Sequence, residues 1–429
     1  MAELERAGGP ALLRDLRIPP RRMRSGPPGR RLRIALYSHD TVGLGHFRRN
    51  LMIARALSQL TPRPSILMIS GAAESSHFPR PRGVDYLTLP ALTKNQPGSY
   101  GSRSLGVSSS HILEIRSRTI HAALACFDPD VLIVDNVPRG AARELDSALT
   151  HLRSHSDTFC ILGLRDVLDE PAVVRREWEG LENEAAIRDF FDAVWVYGDP
   201  GVCDLASEYS FSESIARKIR YVGYFDRQDA VGLPGGDDPD HAAAAAVPPH
   251  PYALCMVGGG EDGGRLADAF SRVHFTPKLR GVILTGPFMP AATRAAIERR
   301  AARNPLLRVV DFVNDPTELI RGAERVITMG GYNSVSEVLS FDRTALIVPR
   351  VKPRREQWIR ATRFEKLGLL DVCDPADVTP EALGRWLARD RERGASSRER
   401  INMDGLARLP RIFEELCLPA HRTAEGTTP

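Results

Sequence analysis

Two glycine-rich turns hold the residues with the most chemical potential in this chain. One reads Thr41-Val-Gly-Leu-Gly-His-Phe-Arg-Arg49, the other Thr328-Met-Gly-Gly-Tyr-Asn-Ser-Val-Ser-Glu337. Each follows a short apolar run and precedes a segment with helical spacing. That order sets bare backbone N–H groups at the positive end of a helix, where phosphate binds well. Gly43, Gly45, Gly330 and Gly331 carry no side chain to hold a diphosphate away from the backbone. His46 falls in a first helical turn, which disfavours the imidazolium, so a neutral ring able to take a proton from a hydroxyl is expected there. Asn333 and Ser334 fall where an N-cap and a first-turn donor belong. Glu337 lies one turn further on, where a carboxylate can accept from two adjacent hydroxyls. A third run, Gly258-Gly-Gly260, opens another helix. Arg48 stands beside His46 as a phosphate or acceptor contact, and Arg165-Asp166 ends an apolar run, readable either as such a contact or as a structural ion pair.

The elements that must position these residues alternate strand and helix. Apolar runs at Leu32–Tyr37, Ser65–Ser70, Pro129–Asp135, Phe159–Leu164 and Ala193–Tyr197 read as buried parallel strands, with a helix at Ile112–Phe127. Residues 93–110 are polar and glycine-rich and read as a mobile loop. The stretch 226–251 breaks the pattern with Gly, Pro, acids and a run of alanines, and reads as an interdomain linker. A second series follows at Tyr252–Val257, Gly281–Thr285, Leu307–Phe312, Arg325–Thr328 and Thr344–Val348, ending in helix over roughly 376–417. The expected organisation is a basic disordered tail (1–31), a first Rossmann-like domain (32–225), the linker, a second Rossmann-like domain (252–418) and a polar tail (419–429).

Composition narrows the function. At 429 residues the chain suits two domains, and an apolar fraction of 42% with 26% charged residues is that of a soluble globular protein. No stretch approaches the roughly 18 apolar residues that span a bilayer, and the N-terminus lacks a signal-peptide core, so a cytoplasmic protein is expected. A net charge of +4 argues against nucleic acid as the main partner. The basic segment 14–33 reads first as a solvated tail, with attraction to an anionic membrane surface as its functional alternative. Cys126, Cys160, Cys203, Cys255, Cys373 and Cys417 are dispersed without a C-x-x-C pair, which fits reduced thiols and no zinc site.

A resemblance emerges in the second half, at Asp311-Phe-Val-Asn-Asp-Pro316, Ala323–Leu339, Ala345-Leu-Ile-Val-Pro349 and Glu356-Gln-Trp-Ile-Arg-Ala361. In this order the blocks resemble the C-terminal donor domain of the MurG-type N-acetylglucosaminyltransferases of the GT-B superfamily. The resemblance implies an α/β, GT-B fold of two doubly wound domains facing a central cleft, and a sugar-transferring enzyme. It implies that Glu337 holds the ribose of a nucleotide-sugar donor, accepting from both of its hydroxyls. It further implies that the backbone of Phe312 and Val313 reads the base edge, that Gln357 contacts the donor sugar, and that Gly258, Gly259 and Gly260 form the first donor-domain loop. Arg360 departs from the pattern, standing where the family has Asn. Gly43-Leu-Gly-His46 is similar to the family's N-terminal loop, with fewer glycines.

The reaction expected on this basis is inverting transfer from a UDP-linked sugar to an acceptor hydroxyl, with His46 as general base. Asp128-Pro-Asp130 precedes a strand and reads as a helix–strand turn, and the acids at 237–240 lie in the linker, so neither metal nor cofactor is expected. Helix N-termini and arginine would neutralise the departing diphosphate. Two alternatives remain open: a nucleotide-sugar hydrolase of the flagellar-sugar type, whose G-x-G-H-x-x-R start fits Gly43–Arg49, and a nucleotide-sugar-binding protein without turnover. These residues specify neither the sugar, nor the acceptor, nor an oligomeric state.

Overall fold

The computed structural model describes residues 30–40, 44–96, 99–231, 247–259, 262–390 and 396–417. The basic tail through residue 29, the linker residues 232–246, the end of the chain from 418, and Gly43 and Gly260 of the glycine turns therefore lie outside the described residues.

The first sheet has seven strands: β1 (Arg33–Ser38), β2 (Ser65–Ser70), β3 (Val84–Thr88), β6 (Val131–Asp135), β7 (Phe159–Arg165), β8 (Ala193–Tyr197) and β9 (Ile219–Tyr221). They run in the order β3-β2-β1-β6-β7-β8-β9, and every pairing is parallel. Strands buried on both faces read as unbroken apolar runs, as in Val131-Leu-Ile-Val of β6. The second sheet has six strands: β10 (Tyr252–Met256), β11 (Arg280–Leu284), β12 (Leu307–Val310), β13 (Arg325–Thr328), β14 (Thr344–Ile347) and β15 (Asp371–Val372). Their order is β12-β11-β10-β13-β14-β15, again wholly parallel.

In each sheet the chain winds outward from the first strand, then returns to start again on its other side. The reversal falls between β1 and β6 in the first sheet and between β10 and β13 in the second. Such switch points, at the carboxyl ends of the strands, are where open α/β sheets bind ligands. The glycine turns after β1, β10 and β13 all leave from them.

The segment 93–110 is not the loop expected from its composition. It carries an antiparallel hairpin of β4 (Leu92–Gln96) and β5 (Ser99–Ser102), with Lys94 opposite Tyr100, and then enters the helix Ser109–Phe127. Ladder hydrogen bonds and the buried Leu92 hold this polar sequence, so its glycine content misled. Asp128 ends that helix in the left-handed region (φ 45°), which makes Asp128–Asp130 the helix–strand turn expected.

The helix Gly405–Cys417, grouped with the second domain by sequence, packs against Gly45–Leu57 of the first, and Phe413 meets Trp195 edge-on. The hydrophobic core runs through this crossing without a break, from Ile34 and Leu51 to Leu409 and Phe413.

Candidate functional site

A cavity of about 290 Å³ lies where the two switch points face each other. Leu44, Gly45, His46, Arg48 and Arg165 line it from the first domain, and Gly258, Gly259, Phe312, Gly331, Ser334 and Glu337 from the second. Its size is at the lower end of small-molecule sites, about 300–1,000 Å³.

His46 is the second residue of the helix Gly45–Leu57. The entry to that helix is fixed by Asp40, whose backbone is left-handed (φ 36°) and whose Oδ1 accepts the Phe47 N–H at 3.0 Å. The His46 ring is 18% exposed, and its Nδ1 contacts Oδ2 of the fully buried Asp135, at the end of β6. Burial raises the Asp135 carboxyl, but Arg49 and then His46 outweigh it and hold the group well below the usual carboxylate range. An ionised carboxylate only accepts, so Nδ1 must carry the proton, and Nε2 is the nitrogen left to take one. Arg49 donates to both oxygens of Asp135 at 2.7–2.9 Å. Its guanidinium lies over Tyr197 and Tyr332, 5.5 and 5.3 Å from the ring centroids.

Across the cavity, the helix Tyr332–Ser340 begins after Gly331, and no side chain caps it. Asn333 is thus not the N-cap that its spacing suggested: Gly331 takes that place with an extended backbone, and the Asn333 amide donates instead to Gly45 O at 2.9 Å, joining the two domains. The free N–H groups of this end are suited to an anion. Gly258 has φ +60° and open space around its missing side chain, so it does offer bare backbone to the cavity with Gly259. Gly330 serves a different end. A Cβ there would lie 3.0 Å from both Cβ and O of Gln357, so its role is close packing beneath the helix Glu356–Lys366, while only Gly331 reaches the cavity. Gln357 is buried, does not line the cavity, and accepts the Arg350 N–H at 3.0 Å. Phe312, 37% exposed, and the buried Val313 lie on the cavity wall after β12.

Glu337 does not stand alone. Arg48 donates to it at 2.9 Å from the opposite domain, and Arg227 pairs with Asp315 at 2.7 Å close behind. Burial raises the Asp315 carboxyl, and Arg227 and Arg48 more than reverse that. Asp166 is taken out of the cavity. Both its oxygens accept from the buried Arg360 at 2.7–3.0 Å, and Tyr224 donates to it at 2.9 Å. The residue that departs from the family pattern is therefore an interdomain tie. Arg165, by contrast, lines the cavity and donates from Nε to Asn136 at 3.3 Å.

Sequence reasoning missed Asp135, Asn136, Arg49, Asp315 and Arg227. A charged residue closing the apolar run of β6 was the available signal for Asp135. Among the described residues, no three His, Cys, Asp or Glu side chains gather as a metal site, and no helix is long and apolar enough to cross a membrane.

Two doubly wound domains with facing switch points define the GT-B architecture. No family model matches the chain. It is similar to the UDP-N-acetylglucosamine--N-acetylmuramyl-(pentapeptide) pyrophosphoryl-undecaprenol N-acetylglucosamine transferase of Klebsiella pneumoniae, MurG-like in sequence, at 26% identity over 219 residues. That match covers 47% of this chain and 60% of the relative. Among solved structures, the glycotransferase of kitacinnamycin superposes with a TM-score of 0.55 at 16% identity, covering 91% of this chain and all of that one. The UDP-GlcNAc 2-epimerase of Methanocaldococcus jannaschii superposes with a TM-score of 0.57 at 13% identity, covering 90% and 100%. At such identities these likenesses establish the fold.

Proposed function

We propose that this chain is a metal-independent, inverting glycosyltransferase that moves a sugar from a UDP-linked donor to an acceptor hydroxyl. The observation that carries this reading is the His46–Asp135 pair at the cavity, opposite the uncapped helix at Gly331. Asp135 orients the ring and stabilises its charged form, and Nε2 takes the proton of the attacking hydroxyl. The oxygen attacks the anomeric carbon as the bond to the diphosphate breaks, and the departing charge meets the N–H groups of Gly331–Asn333. Glu337 accepts the ribose hydroxyls through the oxygen that Arg48 leaves free. The Klebsiella relative, by its name, uses UDP-N-acetylglucosamine, which supports a UDP-sugar here.

A second reading, hydrolysis, is favoured by the cavity's modest volume, since water needs less room than an acceptor. Measuring UDP release from a panel of UDP-sugars tests both. Release that requires an added acceptor extract supports transfer. Release without one supports hydrolysis, and tight UDP-sugar binding with no release in either case would sink the enzymatic reading.

A further inference from the structure

Charges at the floor of the cleft do not balance. Arg49 is paired with Asp135, Arg360 with Asp166, and Arg350 with Glu356 and Asp262. Arg165 sits among them, and no carboxylate of the described residues comes within ion-pairing distance of it. Its one described hydrogen bond is from Nε to Oδ1 of Asn136, a residue held in the left-handed region (φ 66°) immediately after Asp135. That bond fixes the plane of the guanidinium and leaves the fork of Nη1 and Nη2 without a partner among the described residues.

Arg165 is half-buried in the cleft, and a partly desolvated cation without a counter-ion is costly. Burial, and then Arg49 and Arg360, lower the Arg165 guanidinium to about 10 against the opposing pull of Glu356 and Asp135, and a further negative charge would oppose that shift. A planar fork of N–H donors matches the oxygens of a phosphoryl group. Arg165 leaves β7 beside the exit of β6, so it enters the cavity from the same edge as the His46–Asp135 pair.

We propose that Arg165, held by Asn136, is a phosphoryl-binding subsite of the cleft, completed by an oxyanion of the substrate. The donor diphosphate and a phosphate on the acceptor offer the same chemistry. The inference rests on the glycosyl-transfer reading only for which of the two it meets.

The test is calorimetry on the parent, Arg165→Gln and Arg165→Lys with three probes: UDP, uridine and inorganic pyrophosphate. Thermal unfolding of ligand-free Arg165→Met is followed alongside. Loss of the fork is expected to weaken anion binding by about 10–100-fold, with Lys recovering part of it. Uridine binding should be unaltered, and Arg165→Met should melt higher than the parent because a stranded charge has gone. Weaker UDP binding assigns the subsite to the donor. Unaltered UDP with weaker pyrophosphate assigns it to a second phosphate, carried by the acceptor. If the parent binds pyrophosphate but neither UDP nor uridine, and Arg165→Gln loses that binding, the subsite stands and the nucleotide reading fails. Equal binding of every probe by the parent and Arg165→Gln, or a lower melting point with unaltered anion binding, overturns the proposal.

Discussion

Arg48 and Glu337 meet across the cleft at 2.9 Å, one from each domain. Arg48 lies two residues after His46, and Glu337 lies six residues after Gly331. The contact therefore couples the helix that carries the candidate base to the uncapped helix after Gly331 on the far side of the cavity. Glu337 is 5% exposed and Arg48 19%, so the pair is well shielded from solvent.

Replacing Glu337 with Ala should weaken UDP binding and leave Arg48 with only Asp315, 3.9 Å away. Losing a charged acceptor of hydroxyl groups costs roughly 1.5–3 kcal/mol, or a 10–150-fold change in affinity. Calorimetry with UDP reads this directly. Unaltered affinity would remove Glu337 from the donor site.

His46→Ala should slow turnover by about 10²–10⁴-fold with little change in UDP affinity. His46→Asn should not recover the rate, because an amide hydrogen-bonds but cannot take the proton. Near-parental turnover of the Asn variant at saturating substrate would exclude the base role. A loss confined to UDP affinity would make His46 a phosphate contact.

Arg360→Ala should destabilise the whole chain, since it strands the Asp166 carboxylate in the core. Breaking one side of a buried ion pair costs about 3–5 kcal/mol. The double variant Arg360→Met/Asp166→Leu should recover much of that. Denaturant unfolding of Arg360→Met, Asp166→Leu and the double variant forms the cycle. Additive losses would show that the two side chains do not interact.

His39 gives a pH signature. Its ring is buried, packs 4.9 Å from the His46 ring, and its Nδ1 has no hydrogen-bond partner among the described residues. Burial and then His46 lower it from 6.5 to about 3, against the opposing pull of Asp135. The unfolded chain then binds a proton that the folded chain refuses. Stability is full above about pH 6.5 and falls as pH drops toward 3, by at most about 1.4 kcal/mol per pH unit. Relative to the parent, His39→Phe should flatten the dependence of melting temperature on pH below about 6.5. An unaltered slope in that window would refute this account.

The parallel strands were legible because burial on both faces leaves apolar runs such as Ser65–Ser70 and Ala193–Tyr197, whose bounds the structure repeats. The short edge strands β3, β9 and β15 were not, since an edge strand needs less apolar sequence, and β15 has only two residues. In the site, spacing located His46, Gly331 and Glu337 at the cavity. It could not find their partners. Asp135 is 89 residues from His46, and Arg48 is 289 from Glu337. Such pairs arise from strand order and domain approach, which periodicity along the chain does not encode. Gly330 shows the converse, because a motif glycine reads alike whether a ligand or the side chain of Gln357 demands the space.

The Arg360–Asp166 tie also bears on how this chain can be recombined. A hybrid that joins its second half to a GT-B first half without an acid at the place of Asp166 would bring the guanidinium to a surface with nothing to meet it. The reverse hybrid would bury the acid alone. Each half has become particular to its own counterpart, so the natural units of exchange are not the two domains but the pair.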